Sequence, residues 1–160
     1  SLSARLGSER IKSCFALYPA AQLTDPERLA TVMGCVSDKF RSGVVIPHWC
    51  MKLFINAYTT PGTDMNDPRL SPMFYDASKF PKYVAVACGD ADTLYRMSFD
   101  LMKKISGSAS GTNVDGSRKF ICVLNEAHEF NTFGRTRASQ EERDRVEGEA
   151  INMIRASWRQ

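Results

Sequence analysis

The sequence lacks several features that would assign a function class directly. It contains no run of 18 apolar residues, and its N-terminus has no hydrophobic stretch of the kind found in signal peptides. Only 2 of its 160 residues are His, and neither a C-x-x-C pair nor a Gly-rich phosphate loop after a strand occurs. We therefore expect no membrane span, no metal and no other cofactor.

Charge of one sign is also scarce. The net charge is +3 and the basic residues are dispersed, so we expect no nucleic-acid partner. The five cysteines are an odd number in a chain that is not small and disulfide-rich, and three of them lie within apolar runs. This usage favours free thiols and a reducing compartment, and hence a cytoplasmic location. No feature of the sequence indicates the oligomeric state.

The apolar pattern predicts a single α/β domain. Residues 83–88, 120–124 and the second half of 11–18 are near-continuous apolar runs of the kind that form buried strands of a parallel sheet. Helical spacing follows each of them. Alternation of strands and helices predicts a mostly parallel sheet flanked by helices.

Four helices are predicted between and after these strands. One begins at Asp25 and Pro26 and carries an apolar stripe as far as Phe40, and two others cover about 47–58 and 93–105. The last begins at Ser139, which forms a capping box with Glu142. Residues 59–72 and 106–117 are rich in turn-forming residues and predict connectors.

Acidic and basic side chains follow the second and third strands. Asp90 and Asp92 come directly after residues 83–88, and His128 follows residues 120–124. Sites in open α/β sheets gather at the carboxyl ends of strands, where a carboxylate can orient an imidazole for proton transfer. The alternative is that Asp92 only caps the next helix and that His128 is a surface or structural residue.

A catalytic nucleophile is absent from the sequence. An Asp and a His in this order predict a Ser in an earlier G-x-S-x-G turn. The Gly-Ser-Ala-Ser-Gly string at 107–111 has Ala109 at its centre and lies between a helix and a strand, so we interpret it as a linker. We therefore expect the chain to carry the acid and the base of an acyl-transfer site without the nucleophile.

Four strings occur in the order that is typical of one family. They are Ala-Leu-Tyr-Pro at 16–19, Asp-Pro-Arg-Leu-Ser-Pro at 67–72, Gly-Asp-Ala-Asp-Thr-Leu at 89–94 and His-Glu-Phe at 128–130. With them the chain resembles the C-terminal half of the hormone-sensitive-lipase-like branch of the α/β-hydrolase fold, which includes arylacetamide deacetylase. Two departures are Thr93, where the family usually has Pro, and Glu129, where Gly is usual.

The resemblance implies a function and an incomplete fold. Asp92 matches the acid and His128 the base of a serine esterase or lipase-like carboxylic ester hydrolase, with Asp90 as the second candidate for the acid. The substrate would be a small-molecule ester. Residues 2–6 match the tail of the helix after the nucleophile turn, so residues 1–160 would be a C-terminal portion that lacks the N-terminal strands and that turn. Residues 20–72 would be its helical or connector region.

Two other interpretations stay open. The chain could be a non-catalytic ligand-binding module of the same fold, as in plant gibberellin receptors, or an inactive truncated fragment with an aggregation-prone strand edge. Several other residues have a functional and a structural interpretation. A group of large side chains at 49–58 would line an acyl pocket or pack in the core; it comprises Trp49, Met51, Phe54 and Tyr58. His48 is expected to be exposed or to cap a helix. Glu129 is expected to be solvated.

Overall fold

The sheet consists of three parallel strands. The computed structural model describes residues 6, 10–133 and 136–159, so residues 2–5 of the predicted N-terminal helix lie outside it. The strands are β1 (Ser13–Leu17), β2 (Tyr83–Gly89) and β3 (Arg118–Val123), in the order β1-β2-β3. All pairs are parallel, as the alternation of elements predicted.

Helices connect and follow the strands. They are α1 (Leu29–Val32), α2 (His48–Tyr58), α3 (Tyr95–Ser106), α4 (Phe130–Phe133) and α5 (Arg137–Trp158), with 3₁₀ turns at Pro26–Arg28, Pro72–Phe74 and Ala77–Lys79. No helix in the described part of the chain is long and apolar enough to span a bilayer.

Both faces of the sheet are covered. Successive side chains of a strand point to opposite faces, and β2 contributes to two separate clusters. Val84 and Val86 pack with residues of α1, α2 and α3, whereas Ala85 and Ala87 pack with Phe130 and residues of α5. The result is a helix–sheet–helix arrangement, which agrees with the predicted α/β class and its parallel sheet.

The predicted helix from Pro26 to Phe40 is wrong beyond Val32. Leu29 is buried as the stripe required, but Val36 and Phe40 are 69% and 48% exposed. The backbone N–H groups of Val36 and Ser37 donate to the main-chain oxygen of Asp90 at 2.9 and 3.0 Å. These donors would otherwise close helical turns, so the chain runs alongside the loop after β2 instead.

The predicted start of the last helix is also wrong, by one turn. Thr136 is the N-cap, and its hydroxyl accepts the N–H of Ser139 at 3.1 Å. Ser139 itself is fully buried, and its hydroxyl donates to Glu126 at 2.9 Å. The side chain of Glu142 pairs with Arg145 and takes no part in a capping box.

Candidate functional site

Asp92 and His128 meet where the loops after β2 and β3 converge. Asp92 Oδ2 lies 2.9 Å from His128 Nδ1, with the carboxylate fully buried and the His side chain 15% exposed. The other carboxylate oxygen, Oδ1, accepts the N–H of Leu94 at 2.8 Å. The helix-cap interpretation of Asp92 is therefore wrong, because Leu94 is the N-cap of α3 and no side chain caps it. Asp92 Oδ1 closes a turn directly before that helix, while Oδ2 holds the imidazole.

The second imidazole nitrogen is available for chemistry. Nδ1 of His128 faces the carboxylate of Asp92, which accepts hydrogen bonds. The neutral ring therefore carries its proton on Nδ1, and Nε2 is the basic atom. No group in the described residues hydrogen-bonds to Nε2. His128 lines an open cavity of about 760 Å³ together with Tyr18, Leu94 and mostly apolar side chains. A reactant in this cavity could exchange a proton with the ring.

Asp90, the second candidate for the acid, has a different role in the structure. It is also buried, but its Oδ1 accepts the N–H of Asn125 at 2.7 Å. Asn125 has a φ of +57°, in the left-handed region that Asn tolerates better than most residues. Asp90 therefore fixes the turn that follows β3, while Asp92 contacts the imidazole.

Tyr18 packs against the imidazole and was signalled in the sequence only as part of a motif. Its ring centroid lies 4.4 Å from that of His128 in an edge-on contact. Its hydroxyl donates to Asn131 Oδ1 at 2.7 Å, and its φ is +35°. The pKa of Tyr18 is raised, first by burial and then by the negative charge of Glu129. Tyr18 therefore keeps its proton and packs edge-on against the His128 ring.

A segment of the long β1–β2 connection pairs with the His128 loop. The N–H of His128 donates to the oxygen of Val44 at 3.0 Å, and the N–H of Val44 donates back at 2.7 Å. Gly43 has a φ of +91°, and a Cβ there would lie 2.4 Å from the main-chain oxygen of His128. Only glycine allows this approach. The string Ser-Gly-Val-Val at 42–45 matches no motif, so sequence reasoning missed it.

The group of large side chains on α2 is divided between core and cavity. Met51 is buried in the core and also lines the cavity, while Phe54 and Tyr58 line the cavity and are 55% and 73% exposed. Trp49 is 67% exposed and is not among the lining residues. His48 is exposed at the first residue of α2, as expected.

Glu129 and the Gly-rich string both occupy positions of positive φ. Glu129 is partly exposed and has a φ of +58°, which explains why glycine suits this position in the resembled family. Gly107, the first residue of the string at 107–111, ends α3 with a φ of +68°. Within the described residues, no group of three or more His, Cys, Asp or Glu side chains could hold a metal ion.

Comparison with known proteins identifies the family of this chain. A family model described as alpha/beta hydrolase fold matches residues 1–131. Among solved structures, the chain is similar to brefeldin A esterase, a bacterial homologue of human hormone-sensitive lipase, with a TM-score of 0.61 and 20% identity over 91% of this chain. This chain spans 41% of the length of that esterase. A search of curated proteins gave no significant match.

The two comparisons agree with the motifs. The family model covers most of the chain, and the solved structure has the same fold. The loops that carry Asp92 and His128 both lie within the matched residues. The chain therefore belongs to the alpha/beta hydrolase fold family.

Proposed function

We propose that this chain supplies the acid and the base of a serine carboxylic ester hydrolase. The observation that carries the proposal is the 2.9 Å contact between Asp92 Oδ2 and His128 Nδ1 at the wall of an apolar cavity. A buried carboxylate on Nδ1 fixes the tautomer and stabilises the imidazolium that forms when Nε2 takes a proton. Family membership favours this use of the pair.

The two residues have separate roles in the proposed reaction. His128 Nε2 removes the proton of a serine hydroxyl as that oxygen attacks the ester carbonyl, and later delivers the proton to the departing alcohol. A water molecule then attacks the acyl-enzyme. His128 takes the proton of that water and delivers it to the serine oxygen as the acid product leaves. Asp92 stays ionised throughout and holds the ring.

The nucleophile and the oxyanion donors are proposed to lie outside these residues. Residues 1–160 would then be the C-terminal portion of a hydrolase domain, with 20–72 as its helical or connector region. The family resemblance and the share of brefeldin A esterase that is covered, 41%, favour this division. The 160-residue chain alone is accordingly expected to turn over no ester.

The substrate is proposed to be a small-molecule ester with an apolar group. Apolar side chains dominate the lining of the cavity beside His128, and Tyr58 and Phe54 form an aromatic part of its wall.

The cysteines at 14, 35, 50, 88 and 122 are all free. Burial raises the pKa of the Cys88 thiol well above its usual value, so this thiol stays protonated. Free thiols suit the cytoplasmic location that we propose.

A second candidate function is ligand binding without catalysis. The cavity beside His128 would serve a receptor equally well, and the chain has no G-x-S-x-G string. The two candidates differ in their dependence on the imidazole. Binding of an apolar ester by a receptor would survive His128→Ala, whereas hydrolysis would not.

The decisive experiment begins with the DNA upstream of Ser1. An in-frame G-x-S-x-G codon run there defines a longer protein, whose hydrolysis of p-nitrophenyl butyrate can be assayed. Asp92→Asn should lower kcat by about 10⁴-fold, because the ring then takes the wrong tautomer. Asp90→Asn is the matched control, since it makes the same change two residues away, and should leave kcat within roughly tenfold of the wild type.

Two outcomes would contradict the proposal. Equal losses in the Asp90 and Asp92 variants would show that neither carboxylate has the assigned role. Ester turnover by the 160-residue chain that His128→Ala abolishes would show that the nucleophile lies within it. Absence of any serine-containing turn upstream would favour the ligand-binding candidate.

A further inference from the structure

Glu126 is a fully buried carboxylate two residues before His128. Its Oε1 accepts the Nε–H of Arg41 at 3.1 Å and the hydroxyl of Ser139 at 2.9 Å, and its Oε2 accepts the hydroxyl of Ser42. No motif in the sequence signalled this residue. A carboxylate in such a place is stable only because each of its oxygens is hydrogen-bonded.

These contacts join three segments that are distant in sequence. Arg41 and Ser42 belong to the connection after α1, and Ser139 lies in the first turn of α5. Arg41 also donates through its second guanidinium nitrogen to the main-chain oxygen of Leu124 at 2.9 Å. The Glu126 side chain thus ties the loop after β3 to structure on two sides.

The main chain of Glu126 ties the same loop to the loop of Asp92. Its carbonyl oxygen accepts the N–H of Ala91 at 3.1 Å. On the other side, the N–H of Ala127 donates to the oxygen of Ser42 at 3.0 Å. A Cβ on Gly89 would lie 2.0 Å from that same Glu126 oxygen, so the two loops are in direct backbone contact here.

The energetics do not favour a role in stability alone. Glu126 is fully buried, whereas the Arg41 side chain is 35% exposed. Replacing a buried charged group and its partner by apolar side chains is often neutral or stabilising, because desolvation offsets much of the attraction. A buried pair can instead fix a single register of the segments that it joins. Here the register in question is that of the loop that presents His128 to Asp92.

We propose that Glu126 is a positioning residue, which holds the His128 ring at hydrogen-bonding distance from Asp92. The proposal rests on the proposed function, since the purpose of this placement is proton transfer at Nε2. Glu126 contacts neither the imidazole nor the cavity among the described contacts, so it acts through the loop. Catalytic geometry tolerates displacements of only about 0.5 Å, and two residues separate Glu126 from the base.

The test is NMR of the imidazole rings in the ¹⁵N-labelled 160-residue chain. Long-range ¹H–¹⁵N spectra identify the tautomer of His128, and exchange with water measures how firmly its Nδ1 proton is held. In Glu126→Gln we expect Nδ1 proton exchange to be about tenfold faster, together with a mixture of tautomers, because a charge-assisted restraint is lost. His48, which is exposed on α2, is an internal reference and should not change.

A matched variant separates positioning from general destabilisation. Glu149→Gln removes a carboxylate that pairs with Lys119 outside the network, and should leave His128 unchanged. Ser139→Ala removes one hydroxyl donor from Glu126 and should give a smaller change in the same direction as Glu126→Gln. This milder variant decides the matter if Glu126→Gln does not fold.

The proposal is overturned by either of two results. One is a lower melting temperature in Glu126→Gln with Nδ1 exchange and tautomer as in the wild type. The other is a wild-type His128 that shows no protected Nδ1 proton. Neither readout needs ester turnover, so a failure of the proposed hydrolase function would leave the NMR result for Glu126 standing.

Discussion

The loops after β2 and β3 differ sharply from the connection between β1 and β2. In the loops, buried polar groups such as Asp90, Asp92 and Glu126 each bond to main chain or side chains of another segment. In the part of the connection between α1 and α2, the chain forms only isolated bridges, and apolar side chains such as Val36 and Phe40 are exposed. The loops are ordered by hydrogen bonds between segments, and the part of the connection between α1 and α2 is held to them by main-chain hydrogen bonds.

The contact between the loops after β2 and β3 is most sensitive to substitution at Gly89. A Cβ at this position would meet the backbone of Glu126 at 2.0 and 2.6 Å, and backbone atoms on neighbouring loops cannot move aside independently. We expect Gly89→Ala to lower the free energy of unfolding by about 3 kcal/mol or more. Urea denaturation measures this loss. Gly148→Ala in α5 is the control and should stabilise by about 0.5–1 kcal/mol, since nothing lies within 4 Å of its Cβ; equal effects at both glycines would contradict the contact.

The connection can be tested at its boundary between packed and unpacked residues. Met33 is 2% exposed and packs with the core on the α1–α3 face, so Met33→Ala should cost about 2–5 kcal/mol. Val36 is 69% exposed, so Val36→Ser should change the free energy of unfolding by less than about 0.5 kcal/mol. Thermal unfolding of the two variants compares them. A large loss of unfolding free energy in Val36→Ser would instead support the longer helix that the apolar stripe predicts.

The smallest effect is expected at Glu129. Its φ of +58° strains a residue with a Cβ, so Glu129→Gly should raise the free energy of unfolding by about 0.5–1 kcal/mol. The same change at Glu147, in the interior of α5, should lower it by about 1 kcal/mol. Opposite signs for one chemical change would sharpen the contrast between a loop and a helix. A loss at Glu129 would indicate that its side chain stabilises the loop.

The sequence predicted the elements that depend on short-range pattern. The three strands, α2 and α3 lie close to the predicted residues, because apolar runs and helical stripes act locally. The proximity of Asp92 and His128 followed from a general property of parallel sheets, whose strand ends share one edge. These parts needed no knowledge of distant contacts.

The errors share one physical cause. The stripe through Val36 and Phe40 predicts a helix, yet the backbone donors of this segment bond to Asp90. The sequence predicts Ser139 as a cap, yet its hydroxyl bonds to Glu126. In each case a polar group was used by a partner far away in sequence, and no local pattern signals such a partner. Glu126 and Gly43 were missed for the same reason.

The double use of Asp92 limits how this fold can change. Oδ1 closes the turn before α3 and Oδ2 holds His128, at 2.8 and 2.9 Å. A Glu at this position would place its carboxylate one methylene further out, so it could not satisfy both partners from the same backbone position. Asn would keep an acceptor for the Leu94 N–H and lose only the charge that faces the imidazole. The turn before α3 therefore survives a loss of charge at this position, but not a longer side chain.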